Sequence, residues 1–338
     1  MHSRSSKVSV IGAGAVGASM AYAMLIRESA REVVLYDVNQ AKAEAEVLDL
    51  AHGTQFTGSS SITGGADISQ TAQSDVIVIT AGAKQNPGQT RLELAGVNFS
   101  ILKSLLPDLL KLSPEAIIIL VTNPCDVLAT AAMRLTGLPA NRIFSSGTVL
   151  DSSRLRWLLA ERFGVSTANI HANIIGEHGD SEFALWSQAS IGPVPLAKWV
   201  DADGKGLNRN ELDAIALDVK TAAYRVIEGK GATNFAIGLS AARIVEAVLN
   251  DENAILPVSS VLTDYHGVSG VALSVPTLVN RQGAVRRIEV PMDAHELEAF
   301  ARSAAAITTT SAVGANPSSA ACICAISITP HARAAACP

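Results

Sequence analysis

A glycine-rich turn near the N-terminus constrains the fold of this chain more than any other feature. The segment Gly12–Gly17 reads Gly-Ala-Gly-Ala-Val-Gly, follows the apolar run Lys7–Ile11 and opens the helical pattern Ala15–Ile26. Glycines in this pattern permit a tight turn, close approach of the backbone to a pyrophosphate and close packing of the helix on the strand. The free N–H groups at the start of the helix then face the phosphates. The residues predicted to bind a dinucleotide here are Gly12, Gly14, Ala15, Val16 and Gly17.

An acidic residue after the second predicted strand, Glu32–Tyr36, indicates which dinucleotide binds. Asp37 stands at the usual distance from the glycine turn. A carboxylate there can accept both ribose hydroxyls of NAD and would repel the 2′-phosphate of NADP. The alternative is that Asp37 only caps the next helix. Because motif, spacing and strand end agree, we predict NAD as the cofactor.

Apolar runs alternate with helical patterns through the first half of the chain. Strands with a continuous apolar run, such as the one within Asp75–Thr80, are typical of a parallel sheet with helices on both faces. We therefore predict an α/β protein in which residues 1–150 form a doubly wound Rossmann domain. Long helices and further strands predict an α+β substrate domain over residues 151–307. Residues 308–338 show no helical or strand period, and we predict an atypical, disordered tail.

Composition narrows the class of protein. Of 338 residues, 48% are hydrophobic and 17% charged, and the net charge of −5 without a basic cluster argues against nucleic acid as a partner. The apolar run Ala116–Val121 is far too short to span a membrane, and Met1–Lys7 does not resemble a signal peptide. The four cysteines fit no usual zinc pattern. We therefore expect a reduced, cytoplasmic protein without a membrane partner or a metal.

A histidine between two glycines is the strongest candidate for acid–base chemistry. His178 follows the predicted strand Ile170–Ile175, and the flanking glycines allow a sharp loop that can aim the imidazole into a cleft. Oxidation of an alcohol needs a base for the hydroxyl proton, and imidazole titrates near neutral pH. A lone histidine is more often structural, so a partner is required. Asp151 is the candidate, because a carboxylate could fix the tautomer and stabilise the imidazolium.

A cation shares the helix that Asp151 opens. Arg154 follows three residues later and therefore lies on the same face. A guanidinium fork has the right shape to bind a substrate carboxylate with two hydrogen bonds. The alternative is a simple intrahelical pair of Asp151 and Arg154, worth only about 0.3–0.5 kcal/mol.

These residues belong to a wider set of matches. Over residues 7 to about 307 the chain resembles the lactate/malate dehydrogenases. The stretches that carry the resemblance are Gly12–Gly17, Ala81–Leu94, Val121–Pro124, Leu150–Arg156, Gly176–Asp180 and Lys230–Thr233. The resemblance implies hydride transfer between NAD and a short 2-hydroxy acid. A dinucleotide-binding regulator without turnover would not need the acid–base and arginine residues together, so we favour an enzyme.

The resemblance implies a role for each matching residue. His178 is the proton donor or acceptor oriented by Asp151, and Arg154 binds the substrate carboxylate. The remaining implied contacts are Asn123 with substrate and nicotinamide, Thr233 with substrate, and Ala81, Gly82, Thr122 and Ile237 with the cofactor.

Residues 82–91 resemble the mobile lid of the family. Arg91 would polarise the keto oxygen as the lid excludes water, the alternative being a solvated surface charge. Gln85 stands where malate dehydrogenases carry the arginine that pairs with the second carboxylate of oxaloacetate. A buried carboxylate without its counterion costs about 3–5 kcal/mol. We therefore expect pyruvate and lactate rather than oxaloacetate and malate, and a longer 2-hydroxy acid stays open.

Two further residues point to an effector. Arg156 lies on the other side of its helix from Arg154 and so cannot serve the same pocket. Arg156 and His171 match positions that bind fructose 1,6-bisphosphate across a subunit interface in many bacterial lactate dehydrogenases. Two positive groups from each of two subunits would suit a bisphosphate. We expect a homotetramer activated by this sugar, the alternative being two ordinary exposed residues.

Overall fold

The computed structural model describes residues 6–83 and 90–313, and the side chains of Arg91 and of residues 309–313 lie outside that description. Within these ranges the chain forms eight α-helices and sixteen β-strands. The helices are α1 (Ala15–Arg27), α2 (Gln40–Gly53), α3 (Arg91–Leu112), α4 (Cys125–Thr136), α5 (Val149–Phe163), α6 (Arg209–Lys230), α7 (Phe235–Leu249) and α8 (Ala294–Val313). The strands are β1 (Lys7–Ile11), β2 (Glu32–Tyr36), β3 (Ser61–Gly65), β4 (Val76–Ile79), β5 (Ile117–Leu120), β6 (Ile143–Ser145), β7 (Ile170–His171), β8 (Ile174–Ile175), β9 (Phe183–Ala184), β10 (Ser190–Ile191), β11 (Val194–Pro195), β12 (Ala254–Leu256), β13 (Ser259–Val261), β14 (Ala272–Ser274), β15 (Thr277–Asn280) and β16 (Gly283–Arg287).

One large sheet organises the protein. Its strand order is β14-β13-β6-β5-β4-β1-β2-β3, in which β1 to β6 run parallel in the order of a doubly wound fold. Alternate residues of the apolar strands pack on opposite faces: Val76 and Val78 against α1 and α7, Ile77 and Ile79 against α3 and α4. The predicted Rossmann sheet is therefore confirmed, and β4 and β5 are apolar throughout because helices cover both faces.

The strand β3 has no counterpart among the predicted strands. It reads Ser-Ile-Thr-Gly-Gly, lies at the edge of the sheet beside β2, and is only partly buried. An edge strand needs few apolar residues, since one of its sides meets no neighbouring strand. Its sequence therefore lacks the continuous apolar run that marks the central strands.

The sequence predicts one strand at Ala254–Leu262 and another at Val271–Leu278, but in the structure each is divided by a proline. The segment 254–262 forms β12 and β13 around Pro257, and the segment 271–278 forms β14 and β15 around Pro276. Proline has no N–H to donate, so it interrupts the ladder and lets the chain change sheets. β13 and β14 join the large sheet antiparallel beside β6, whereas β12, β15 and β16 form a separate antiparallel sheet. The large sheet therefore draws strands from both sides of residue 150.

The final helix continues beyond the predicted start of the tail. The expectation that residues from 308 onward lack helical structure is wrong for the first six, because α8 extends to Val313. No glycine or proline interrupts it before Gly314, and threonine costs a helix only a few tenths of a kcal/mol. The Thr308 hydroxyl donates to the Ala304 carbonyl at 3.0 Å. The rest of the predicted tail lies outside the described residues. None of the described helices is both long and apolar enough to cross a bilayer.

Candidate active site

The glycine turn between β1 and α1 is shaped by close backbone packing. A Cβ on Gly17 would lie 1.8 Å from the Gly12 carbonyl oxygen, and one on Gly12, whose φ is +112°, would lie 2.7 Å from the Ala81 nitrogen. A Cβ on Gly14 would meet no protein atom within 4 Å. Gly12 and Gly17 are therefore required by the fold, while the space above Gly14 is open to a ligand.

The start of α1 offers unpaired donors to that open space. The helix begins at Ala15, and its N-cap, Gly14, supplies no side chain to the first-turn N–H groups. Unpaired N–H groups at a helix start, together with the helix dipole, favour a phosphate. Ala15, Val16 and Gly17, predicted as cofactor residues, all lie in this first turn.

Asp37 is held against the same turn. One carboxylate oxygen accepts the Ala13 N–H at 2.8 Å, and the other accepts the Asn39 N–H at 2.9 Å. The alternative that Asp37 only caps the next helix is wrong, because the N-cap of α2 is Asn39, whose side chain accepts the Lys42 N–H. The carboxylate thus lies at the mouth of the nucleotide cradle, where a ribose would reach it.

A cavity of about 570 Å³ extends along this edge of the sheet. Gly12, Gly14, Asp37, Ala81 and Gly82 line it. Below it, the buried Thr122 hydroxyl donates to the Ala81 carbonyl at 2.8 Å, and a Cβ on Gly82 would lie 2.3 Å from the Thr122 methyl carbon. The free helix N-terminus, the carboxylate and the volume together fit a dinucleotide such as NAD.

The predicted catalytic pair, His178 and Asp151, joins two elements that are far apart in the sequence. The loop after β8 carries His178, and the first turn of α5 carries Asp151. Their Nδ1 and Oδ2 atoms are 2.6 Å apart, and the other oxygen of Asp151 accepts from Nη1 of Arg154, also at 2.6 Å. The predicted partnership and the alternative intrahelical pair therefore coexist on one carboxylate. With Nδ1 donating to Asp151, Nε2 is the ring atom left to exchange a proton.

The electrostatics of the pair follow from its burial. Asp151 is 1% exposed, and burial alone would favour its neutral form, but the charge and hydrogen bond of His178, with Arg154, hold its pKa below the usual value. Burial also opposes the imidazolium, yet the charge and hydrogen bond of Asp151 prevail and raise the pKa of His178 to about 9. His178 therefore carries a proton at neutral pH.

Two residues that sequence reasoning missed fix the histidine loop. The fully buried Asp126 of α4 accepts the His178 N–H at 2.7 Å, and the Ser303 hydroxyl of α8 accepts the Glu177 N–H at 2.6 Å. Gly176 has φ +94°, and a Cβ there would lie 2.6 Å from the Ser303 oxygen. The available signal for Asp126 was an acidic residue directly after the Asn-Pro-Cys stretch. Nothing in the sequence identified Ser303.

The predicted strand Ile170–Ile175 is divided in the structure. β7 pairs with β10, and β8 pairs with β9. Between them, Arg156 donates from Nε to the Ala172 carbonyl and from Nη2 to the Asn173 side chain, both at 2.9 Å. The Ala172 carbonyl accepts a hydrogen bond from the Arg156 side chain rather than from a neighbouring strand, so the β-ladder is interrupted at this residue. Arg156 is therefore not an ordinary exposed residue, whereas His171 on β7 is exposed.

A smaller cavity, of about 170 Å³, lies in front of the pair and is called the substrate cavity below. Asn123, Arg154 and His178 line it together with Asp151, as the sequence predicted. One face of α6 completes it with Lys220, Ala223, Tyr224 and Ile227, whose helical spacing was a signal that sequence reasoning did not use. Thr233 and Ile237, in the loop after α6 and the start of α7, are not among the described residues lining this cavity or the cofactor cavity. Gln85 and the Arg91 side chain lie outside the described residues.

One cluster among the described residues has the composition of a metal site. Single donor atoms of Asp151, His178 and Glu182 all lie within 4.8 Å of one another. Asp151 and His178 are already hydrogen-bonded to each other at 2.6 Å, so a metal would have to displace that bond. We assign the cluster to proton chemistry.

Comparison with known proteins agrees with this geometry. The family model for the lactate/malate dehydrogenase NAD-binding domain matches residues 6–145, and that for the lactate/malate dehydrogenase alpha/beta C-terminal domain matches residues 148–316. The chain is 50% identical over 307 residues to an L-lactate dehydrogenase of Bifidobacterium animalis subsp. lactis, covering 90% of this chain and 96% of that protein. It is 45% identical over 301 residues to an L-lactate dehydrogenase of a Thermoanaerobacter species, covering 89% and 96%.

Solved structures give the same result. A lactate dehydrogenase from a Medee basin deep-sea metagenome library matches with a TM-score of 0.88 and 36% identity, covering 93% of this chain and 100% of that one. The minor L-lactate dehydrogenase of Enterococcus mundtii, in a ligand-bound form, matches with a TM-score of 0.87 and 37% identity, covering 90% and 97%. With both family models and these relatives covering most of its length, the chain belongs to the lactate/malate dehydrogenase family and is an NAD-dependent oxidoreductase.

Proposed function

We propose that this chain interconverts (S)-lactate and pyruvate with NAD as the cofactor. The observation that carries the proposal is the carboxylate of Asp151, which holds a proton-bearing imidazole with one oxygen and an anion-binding guanidinium with the other. The shared carboxylate fixes an acid and an anion receptor side by side. A 2-keto acid needs both, because its carboxylate and its keto oxygen are on adjacent carbons.

In the direction of pyruvate reduction, each residue has a distinct task. Arg154 binds the substrate carboxylate through the guanidinium nitrogens that Asp151 leaves free. His178 donates its Nε2 proton to the keto oxygen, while Asp151 stabilises the imidazolium before transfer and the tautomer after it. NADH, when bound in the cradle of residues 12–17, supplies the hydride that C2 receives. In this proposal residues 1–150 bind the cofactor and residues 151–307 contribute most of the groups that bind the acid.

The remaining roles rest on the family resemblance. Asn123 lines the cavity and is proposed to contact the substrate oxygen and the nicotinamide. Arg91 is proposed to polarise the keto oxygen, Thr233 to border the substrate, and Ile237 to pack on the nicotinamide ring. Substitution of each by alanine, with KM for pyruvate and NADH measured separately, assigns it to substrate or cofactor.

Pyruvate is favoured over oxaloacetate for two reasons. Gln85 is neutral, so a second carboxylate beneath the lid would lack a counterion. The cavity of about 170 Å³ is small for a ligand site, which favours a short acid. NADH absorbance with pyruvate, oxaloacetate and 2-oxobutyrate compared side by side tests this. We expect kcat/KM to be about 10²–10³-fold higher for pyruvate than for oxaloacetate. A preference for oxaloacetate would make the chain a malate dehydrogenase.

We also propose activation by fructose 1,6-bisphosphate at Arg156 and His171. Their proximity supports this, since Arg156 bonds to Ala172 and Asn173, next to the exposed His171. We expect the sugar to lower KM for pyruvate in the wild type and to have no effect on His171→Gln. Arg225→Gln, an exposed cation on α6, is the matched control and should respond like the wild type. A flat response of the wild type would contradict the proposal.

Self-association into a homotetramer is supported by exposed apolar side chains. Tyr22 and Ile26 on α1, Trp157 on α5 and Leu239 on α7 are each between 50% and 55% exposed, and these helices pack together. Large apolar side chains clustered at a surface mark protein interfaces. Light scattering after size-exclusion chromatography should give the mass of four chains, and a single-chain mass would contradict the proposal.

A further inference from the structure

Glu182 is a buried acid that the proposed chemistry does not use. It lies on the loop between β8 and β9, and its side chain is 5% exposed. One carboxylate oxygen is 3.9 Å from Nδ1 of His178, on the side of the ring that faces Asp151. Glu182 therefore lies near the Nδ1 side of the catalytic imidazole and leaves the reactive Nε2 free.

Glu182 also lines two cavities. It lines the substrate cavity and a second cavity of about 360 Å³ between α6 and α8. Lys220 is the other residue common to both linings. Glu182 therefore borders a space that a ligand in the substrate cavity would leave empty.

Charges surround this carboxyl group on every side. Those nearest the catalytic pair are Asp151 and Arg154 of α5, Asp126 of α4, and His178 and Asp180 of its own loop. Those around the second cavity are Lys220, Arg209 and Asp213 of α6, Asp293 just before α8, and His295, Glu296 and Arg302 of α8. Burial, followed by the charge of Asp151, raises the pKa of Glu182 to about 8, against the opposing effect of His178. In turn, the charge of Glu182 is one of the influences that raise the pKa of His178.

We propose that Glu182 is a positioning residue that divides the proton requirement of the active site: its neutral form favours binding of the 2-keto acid, and its ionised form retains the proton on His178. This rests on the proposed function, because it requires His178 to be the acid. The charges account for both effects. Ionisation of Glu182 adds one negative charge beside Asp151, His178 and Arg154. Without that charge the site attracts the substrate carboxylate more strongly, and with it substrate binding weakens while the imidazolium is stabilised.

The test is the pH dependence of kcat and KM for pyruvate in three proteins: the wild type, Glu182→Gln and Glu161→Gln. Gln keeps the size of the side chain and removes the ionisation, and Glu161 is an exposed acid of α5 that lies outside both cavities. In the wild type, KM should begin to rise at a lower pH than the one at which kcat begins to fall. In Glu182→Gln, kcat should fall at a pH about one unit lower than in the wild type, because the imidazolium has lost a negative neighbour. The separate rise in KM should then disappear. Glu161→Gln should match the wild type.

Three results would overturn the inference. One is a wild type in which KM and kcat change at the same pH, which needs no variant to be folded. Another is a Glu182→Gln enzyme with the wild-type profile, and the third is one whose kcat is reduced equally at every pH, as a structural role predicts. Glu182→Asp, which restores the charge, should recover the order of the two wild-type transitions. Failure of the proposed function is distinct, since the wild type would then not oxidise NADH with pyruvate at all.

Discussion

The cofactor cradle and the catalytic pair work by opposite means. The cradle is formed by the absence of side chains: Gly12 and Gly17 allow backbone contacts that a single methyl group would prevent, and no side chain at the N-cap Gly14 covers the first-turn N–H groups of α1. The catalytic site is formed by charged side chains on separate elements, held together by Asp151. The cradle should therefore be damaged by adding atoms, and the catalytic site by removing charge without changing size.

The largest effect is expected from removing the acid. His178→Asn should lower kcat for pyruvate reduction by about 10³-fold, because a positioned general acid contributes about 10²–10⁴-fold. NADH binding, followed by fluorescence titration, should be unchanged, since His178 is not among the described residues lining the cofactor cavity. His52→Asn, an exposed histidine on α2, is the control. A comparable loss of NADH affinity would show that the two sites are not separable.

Removing the partner charge should shift the pH profile. The raised pKa of His178 means that the imidazolium persists above neutral pH, so pyruvate reduction is lost as pH rises through that pKa and lactate oxidation is gained. Asp151→Asn removes the main cause of the raised pKa, and the midpoint should move down by about 1–3 pH units. An unchanged midpoint in kcat/KM for pyruvate would mean that Asp151 does not control the imidazole.

Changing the shape of a charge should have a smaller effect. Arg154→Lys keeps the positive charge but replaces a planar fork with a point charge. We expect KM for pyruvate to rise about 10²-fold, with a smaller change in kcat. A KM close to that of the wild type would indicate that charge alone binds the substrate carboxylate.

Two glycines of the cradle should respond differently to an added methyl group, because only one of them is packed against the backbone. Gly17→Ala should reduce the free energy of unfolding by about 1–3 kcal/mol, because its Cβ would overlap the Gly12 carbonyl oxygen. Gly14→Ala should leave thermal unfolding unchanged and weaken NADH binding, since only the ligand space is open to its Cβ. Equal thermal stability of the two variants would contradict this division.

The sequence by itself determined most of the cofactor half. The glycine turn, the apolar strands β1, β2, β4 and β5, and Asp37 are local signals, because each arises from neighbouring residues or from one strand–turn–helix unit. The sequence also identified His178, Asp151 and Arg154, first from the residues themselves and then through the family resemblance, and the structure brings these three together. What local patterns did not reveal was the edge strand β3, whose single buried face needs few apolar residues.

The remaining features depend on contacts between distant parts of the chain. β13 and β14 complete a sheet begun more than a hundred residues earlier, and no local pattern specifies that pairing. The histidine loop is contacted by Asp126 from α4 and by Ser303 from α8, and Glu182 of the same loop lies near the His178 ring. The importance of these three residues depends on distances that the sequence does not contain. The physical reason is that burial and Coulomb interaction act through space, so the proton affinity of His178 is set by groups that only folding brings within a few ångströms of it.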